Sequence, residues 1–146
     1  MNGTEQIVAE YQFPEPPAQV WRALTEPELL AKWLMPNDIA PIVGHKFQFR
    51  AQPIGNWNGI VDCEVLEVVP NQRLVYTWMG GAAENLGYGH VLETTVTWTL
   101  QERPDGGTIL SLVHYGFRPD DFAFHAMSQG WASKGPAIAG AMGTVE

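Results

Sequence analysis

The chain has 146 residues, of which 45% are hydrophobic and 11% aromatic, and its formal net charge is -8. This apolar content excludes a disordered chain, because enough apolar surface is available to offset the entropy of ordering. The eight Lys and Arg residues form no run, so a phosphate backbone would repel the chain and we expect no nucleic-acid partner.

Cysteine content and hydropathy bear on the compartment. Cys63 is the only cysteine, which excludes an intrachain disulfide and fits a reducing environment. The first ten residues lack the basic start and apolar run of a signal peptide, and no apolar stretch approaches the ~20 residues that span a bilayer. We expect one domain over residues 1–146, located in the cytoplasm, with no membrane insertion.

The first predicted elements are a strand and a short helix. Residues Ile7–Phe13 alternate between apolar and polar side chains, which predicts a strand. The prolines from Pro14 onward end it, since proline cannot donate to a ladder. Residues Ala18–Leu24 carry apolar side chains at helical spacing, which predicts an amphipathic helix.

A second short helix is predicted directly after the first. Thr25 is the expected N-cap, Pro27 lies near the first turn, and Glu28 stands three residues after the cap. The helix carries Trp33 and ends before Pro36. Two short helices in tandem after one strand are an unusual arrangement.

Five further strands are predicted, and they share an alternating pattern. Such alternation indicates an antiparallel sheet with one covered face. The turn at residues 104–107, Pro-Asp-Gly-Gly, predicts a hairpin between the last two strands. The predicted strands are Lys46–Gln52, Ile60–Val69, Arg73–Met79, Leu92–Gln101 and Thr108–Tyr115.

Strict alternation assigns side chains of the last three strands to the two faces of the sheet. Val75 and Thr97 are expected on the outer face. The side chains expected to face the terminal helix are Leu74, Tyr76, Trp78, Val96, Trp98, Leu100, Leu110, Leu112 and His114.

The C-terminal part of the chain predicts a long helix. Asp120 or Asp121 can cap it, and Phe124, Met127 and Trp131 recur at a spacing that places them on one side. Gly135-Pro136 is expected to interrupt the helix, and Ala137–Met142 to resume it. The whole order predicts an α+β fold in which a curved antiparallel sheet wraps around this helix and leaves a cavity between them.

Several residues are candidates for chemistry. His114 is either a hydrogen-bonded core residue or a general base, with the core role favoured. Cys63 is expected to be a small buried hydrophobe. Asp62 and Glu64 share a face and are expected on the solvent side or near a bulge rather than as an acid–base pair. No histidine spacing indicates a metal site, and we expect neither metal nor cofactor.

The inward aromatic side chains suit a pocket for an apolar or aromatic molecule. Some of these rings are expected to serve only the core. The candidate ligand-binding residues are Phe49, Cys63, Tyr76, Trp78, Trp98, His114, Phe124, Met127 and Trp131.

The sequence resembles a known family, the heat-shock protein 90 ATPase activator homologue-like branch of the SRPBCC (START and Bet v allergen-like) superfamily. The resemblance covers nearly the whole chain. It is carried by residues 13–17, 20–30 and 32–33, by Gly44, Phe47 and Phe49, by residues 64–68, Pro70 and residues 73–78, and by Thr108, Leu110, Leu112, His114, Gly116, Phe117, His125, Gly130 and Trp131.

The resemblance implies the helix-grip fold and, as the default role, binding of a small hydrophobic or aromatic molecule. It leaves two alternatives open. One is a polyketide cyclase or aromatase-like enzyme that uses the same cavity, with His114 or Tyr76 moving a proton. The other is a module that binds a chaperone or another protein. A homodimer is also left open. Fold membership implies none of these chemistries by itself.

Overall fold

The fold is that of a computed structural model, which describes residues 5–50, 60–80, 92–117 and 129–143. The order of elements is one strand, two short helices, five strands and a C-terminal helix, as predicted. The elements are β1 (Glu5–Phe13), α1 (Pro17–Thr25), α2 (Pro27–Trp33), β2 (Lys46–Arg50), β3 (Ile60–Val69), β4 (Arg73–Gly80), β5 (Leu92–Glu102), β6 (Thr108–Phe117) and α3 (Gly135–Gly143).

All six strands form one antiparallel sheet in the order β1-β6-β5-β4-β3-β2. Strands β2 to β6 follow one another as a meander, and β1 closes the sheet on the far side of β6. The sheet therefore brings the N-terminal strand beside the last strand, and it leaves β1 and β2 as the two edges.

The hairpin between β5 and β6 turns where the sequence predicts it. Gly106 has a φ of 89°, a left-handed conformation that glycine adopts without steric cost. A Cβ on Gly107 would lie 2.4 Å from the carbonyl oxygen of Phe13, so only glycine fits against the end of β1. This turn fixes the register in which β6 pairs with β5 and β1.

The register confirms the predicted assignment of side chains to the two faces. Trp98 pairs with Leu74 on one side and Leu112 on the other, so the three side chains lie in one row. All nine side chains predicted to face inward are buried, with exposed fractions of 0–6%. Val75 pairs with Thr97 on the opposite face. Alternation along three neighbouring strands thus builds a continuous core surface.

The predicted N-cap of the second helix is wrong. Thr25 is the last residue of α1, and its hydroxyl donates to the carbonyl oxygen of Trp21, one turn earlier. Glu26 occupies the cap position of α2 without a side-chain cap bond, and Pro27 begins the helix. The threonine hydroxyl is satisfied within its own helix, which is the usual competitor of a capping role.

The interruption predicted near Gly135-Pro136 is confirmed. Residues 129–132 are helical, the chain leaves the helix at Ser133 and Lys134, and α3 then begins at Gly135. The core side of α3 carries Ile138, Ala141 and Met142. Phe124 and Met127, like the predicted start of the helix, lie outside the described residues.

The described helices cover one side of the sheet unevenly. Helix α1 lies over β5 and β6, while α3 packs on α1 and α2 and lies beside β1. The inner side chains of β2, β3 and β4 are buried as well. No described helix is both long enough and apolar enough to cross a membrane.

Candidate functional site

Seven of the nine candidate ligand-binding residues lie in the described part of the chain, and all seven are buried. Their exposed fractions run from 0% to 4%. The sheet and the C-terminal helical stretch bring four of them into mutual contact: Trp78, Trp98, His114 and Trp131.

Trp131 is the centre of this contact group. Its ring lies 5.9 Å from Trp78 and 5.6 Å from Trp98, centroid to centroid, and meets both nearly edge to face. The Trp131 carbonyl oxygen accepts a hydrogen bond from the Tyr11 hydroxyl of β1. Burial raises the pKa of Tyr11 to about 12, so this phenol remains a neutral donor. Trp131 therefore fixes the C-terminal helical stretch to the sheet through both its ring and its backbone.

His114 is held in one tautomer by its two neighbours. The Trp131 indole N–H donates to Nδ1 at 3.1 Å, so Nδ1 carries a lone pair and the proton lies on Nε2. Nε2 is 2.8 Å from Oγ1 of Thr94, and that hydroxyl donates its own proton to the carbonyl oxygen of Trp78 at 2.8 Å. The series from Trp131 through His114 and Thr94 to Trp78 therefore pairs each N–H or O–H with an acceptor.

This arrangement favours the core role of His114 over the role of general base. Burial lowers the pKa of His114 to about 3, because the imidazolium would lose its hydration. A general base must offer a lone pair to a substrate, and the lone pair on Nδ1 already accepts from Trp131. His114 is therefore a neutral residue that specifies how the helix meets the sheet.

A second group of aromatic side chains covers the inner surface of β2 and β4. We call this group the inner aromatic face, and its members are Phe47, Phe49, Tyr76 and Trp78. The Phe49 ring lies 5.2 Å from Trp78 and 6.3 Å from Tyr76, and the Phe47 ring lies 5.3 Å from Tyr76. The Tyr76 hydroxyl accepts the indole N–H of Trp98 at 3.0 Å. This bond joins the inner aromatic face to the rings around Trp131.

Cys63 lies on the inner surface of β3 and is a protected thiol. It is 4% exposed, and its Sγ lies 3.9 Å from the carbonyl oxygen of Val61. Burial is the main cause that raises its pKa above the ordinary value, and the carboxylates of Asp62 and Asp38 add to the effect. A thiol that stays protonated is a poor nucleophile, which agrees with the predicted role as a small hydrophobe.

Asp62 lies on the solvent side, as predicted. It is exposed, and its Oδ1 accepts a hydrogen bond from Gln48 at 2.9 Å. Glu64 is partly buried on the same strand, and its backbone N–H donates to the Thr77 hydroxyl. Within residues 5–50, 60–80, 92–117 and 129–143, no three His, Cys, Asp or Glu side chains are grouped to hold a metal ion.

Two residues of the site were missed by the sequence reasoning. Thr94 is two positions before Val96 on the same face of β5, so alternation alone could have placed its hydroxyl beside His114. Tyr11 lies on the inner side of β1, but its bond to the Trp131 backbone joins residues 120 positions apart and leaves no local signal.

Comparisons with known proteins agree with this fold. The family model described as "Activator of Hsp90 ATPase homolog 1-like protein" matches residues 14–141. Protein MLL2253 from Mesorhizobium loti is 40% identical over 94% of this chain and 93% of that chain, with a TM-score of 0.78. No curated protein matches the sequence.

Two further solved structures are similar in fold alone. The Aha1 dimer from Colwellia psychrerythraea is 19% identical over 94% of this chain and 96% of that chain, with a TM-score of 0.74. DynU16, a protein of the dynemicin biosynthetic locus, is 23% identical over 97% of this chain and 48% of that chain, with a TM-score of 0.76. The family match spans most of the chain, and the chain therefore belongs to the Activator of Hsp90 ATPase homolog 1-like family of the SRPBCC superfamily.

Proposed function

We propose that the protein binds a small apolar or aromatic molecule between the sheet and the C-terminal helix, on the inner aromatic face. The observation that carries the proposal is the position of this face. Its four rings are buried, and they belong to β2 and β4. The helices α1 and α3 lie against other strands: α1 lies over β5 and β6, and α3 lies beside β1. A surface rich in aromatic rings with few polar groups is typical of small-molecule sites.

The proposal assigns different roles to the candidate residues. Phe49, Tyr76 and Trp78 would contact the ligand directly, with Cys63 beside them on β3. Trp98, His114 and Trp131 would form the adjoining wall of the site. Phe124 and Met127 are proposed as contacts from the C-terminal helix, in keeping with the helix-grip form in which the sheet curves around a long helix.

A catalytic role of the cyclase or aromatase type is the weaker alternative. Tyr76 and His114 were its two candidate proton carriers. Burial raises the pKa of Tyr76 above its ordinary value, and His114 is neutral with both ring nitrogens hydrogen-bonded. Neither group is therefore poised near neutral pH as a general base.

The remaining alternatives concern protein partners. A chaperone-binding role would need a surface patch of matching shape and charge. A homodimer stays a prediction, and light scattering of the purified protein would test it.

A ligand screen with matched variants tests the binding proposal. Apolar aromatic compounds should raise the melting temperature of the wild type, since a ligand that binds only the native state stabilises it by mass action. Phe49→Leu should weaken binding, because Phe49 is fully buried on the inner aromatic face. Tyr115→Leu is the control, since Tyr115 is 50% exposed on the outer face. Equal loss in both variants, or no thermal shift in any protein, would contradict the proposal.

A further inference from the structure

Within the described residues, the Tyr76 hydroxyl accepts a hydrogen bond but donates none. A phenol can donate one hydrogen bond and accept others. Tyr76 is 1% exposed, and its oxygen accepts the indole N–H of Trp98 at 3.0 Å. No acceptor for its own proton is present among the residues that the structure describes.

Three other buried donors of the core have acceptors within the described residues. The Tyr11 hydroxyl donates to Trp131, the Trp33 indole N–H donates to Ala23 at 2.9 Å, and the Thr94 hydroxyl donates to Trp78 at 2.8 Å. Because buried donors are almost always satisfied, the Tyr76 proton calls for an acceptor that is not part of the described chain.

The surroundings of Tyr76 restrict the chemistry of that acceptor. Among the described residues, the rings in contact with the Tyr76 ring are those of Phe47 and Phe49. The inward side chains of β2, β3 and β4 carry no charge over their described lengths. An ionised carboxylate or phosphate would be buried there without a counter-charge, which is strongly unfavourable. A neutral oxygen acceptor attached to an aromatic frame satisfies both the phenol and the rings.

We propose that the ligand of this site is a neutral aromatic molecule bearing a carbonyl oxygen, and that the Tyr76 hydroxyl donates to that oxygen. This inference rests on the proposed function and adds the class of ligand and the residue that determines specificity. The Trp98 N–H holds the phenol oxygen in place, so Trp98 acts as a positioning residue.

Two probes of nearly equal shape test the inference. Fluorene and 9-fluorenone share their ring system and differ in a CH₂ group against a carbonyl. The wild type should bind 9-fluorenone about tenfold more tightly than fluorene, as expected for one net hydrogen bond. Tyr76→Phe should bring this ratio close to one, whereas Tyr115→Phe on the outer face should leave it unchanged.

The ratio of the two dissociation constants separates binding from stability. Tyr76→Phe leaves the Trp98 N–H without its acceptor, but any loss of stability affects both probes alike. Infrared spectroscopy adds an independent readout, because the carbonyl stretch of bound 9-fluorenone should move to lower frequency in the wild type and not in Tyr76→Phe. Equal affinity for the two probes in the wild type would overturn the inference and leave the proposed function standing. Binding of neither probe would overturn both.

Discussion

At the scale of single residues, the polar groups around His114 explain why an ionisable side chain is tolerated in an apolar core. The imidazole is neutral, and its hydrogen bonds to Thr94 and Trp131 replace those that water would supply. Alternation in β6 placed His114 on the inner side, but only the structure shows the partners that settle its protonation state.

The buried His114 should make the protein sensitive to acid. Its pKa is about 3 in the folded state against about 6.5 in the unfolded chain. The unfolded state therefore binds a proton between these values that the native state does not. The contribution to the free energy of unfolding is constant above pH 6.5 and falls as the pH drops toward 3, by about 2–3 kcal/mol at pH 4.5.

Urea unfolding between pH 7 and pH 4.5 checks this dependence. His114→Gln should flatten it, because an amide can still donate to Thr94 and accept from Trp131 without titrating. His45→Gln is the control, since His45 lies outside the core and bonds to the backbone oxygen of Asp38. An unchanged slope in His114→Gln would show that another group is responsible.

Removal of the Thr94 hydroxyl should destabilise the protein. Thr94→Val keeps the shape of the side chain but removes the hydroxyl that bonds to His114 Nε2 and to the Trp78 carbonyl oxygen. We expect a loss of about 1–3 kcal/mol in the free energy of unfolding. Thr99→Val, at an exposed position of the same strand, should change it by less than about 0.5 kcal/mol. Denaturant titration of the two variants gives the comparison.

At the scale of elements, the sequence predicts the strands better than the helix ends. Ile60–Val69 is recovered with its exact bounds, because ten residues of strand are set by many side chains together. The predicted N-cap at Thr25 is wrong, because its hydroxyl can bond within its own helix instead of capping the next one.

The register of β6 predicts opposite outcomes for two neighbouring residues. Leu112 is fully buried between Ala9 and Trp98, whereas Val113 is only partly buried on the outer face. Leu112→Ala should cost about 2–5 kcal/mol in the free energy of unfolding. Val113→Ala should lower the free energy of unfolding by clearly less than Leu112→Ala does. Thermal denaturation of the two variants gives the comparison, and a larger loss in Val113→Ala would indicate a shifted register.

The attachment of the C-terminal helical stretch depends on Trp131. Trp131→Phe retains a ring between Trp78 and Trp98 but removes the N–H bonded to His114. The free energy of unfolding should fall by about 1–3 kcal/mol. Amide exchange should accelerate first in α3, because this helix follows directly on Trp131. Ser133→Ala, at an exposed position, is the control, and uniform acceleration across the sheet would contradict a local role.

At the scale of the whole molecule, local patterns determine the architecture, while the site depends on distant contacts. Alternation in β4, β5 and β6 predicts the sheet, and the two short helices after β1 are part of the region that the family model matches. The bonds that organise the site join Tyr11 to Trp131, Thr94 to His114 and Tyr76 to Trp98, each across 20 or more positions. The spacing of residues along the chain does not predict such pairs.

Native mass spectrometry of freshly purified protein shows whether the inner aromatic face holds a small molecule. We expect a complex with one neutral organic molecule per chain, released on denaturation and depleted in Phe49→Leu but not in Tyr115→Leu. Bare chain mass in every preparation, with no complex after addition of 9-fluorenone or fluorene, would contradict it.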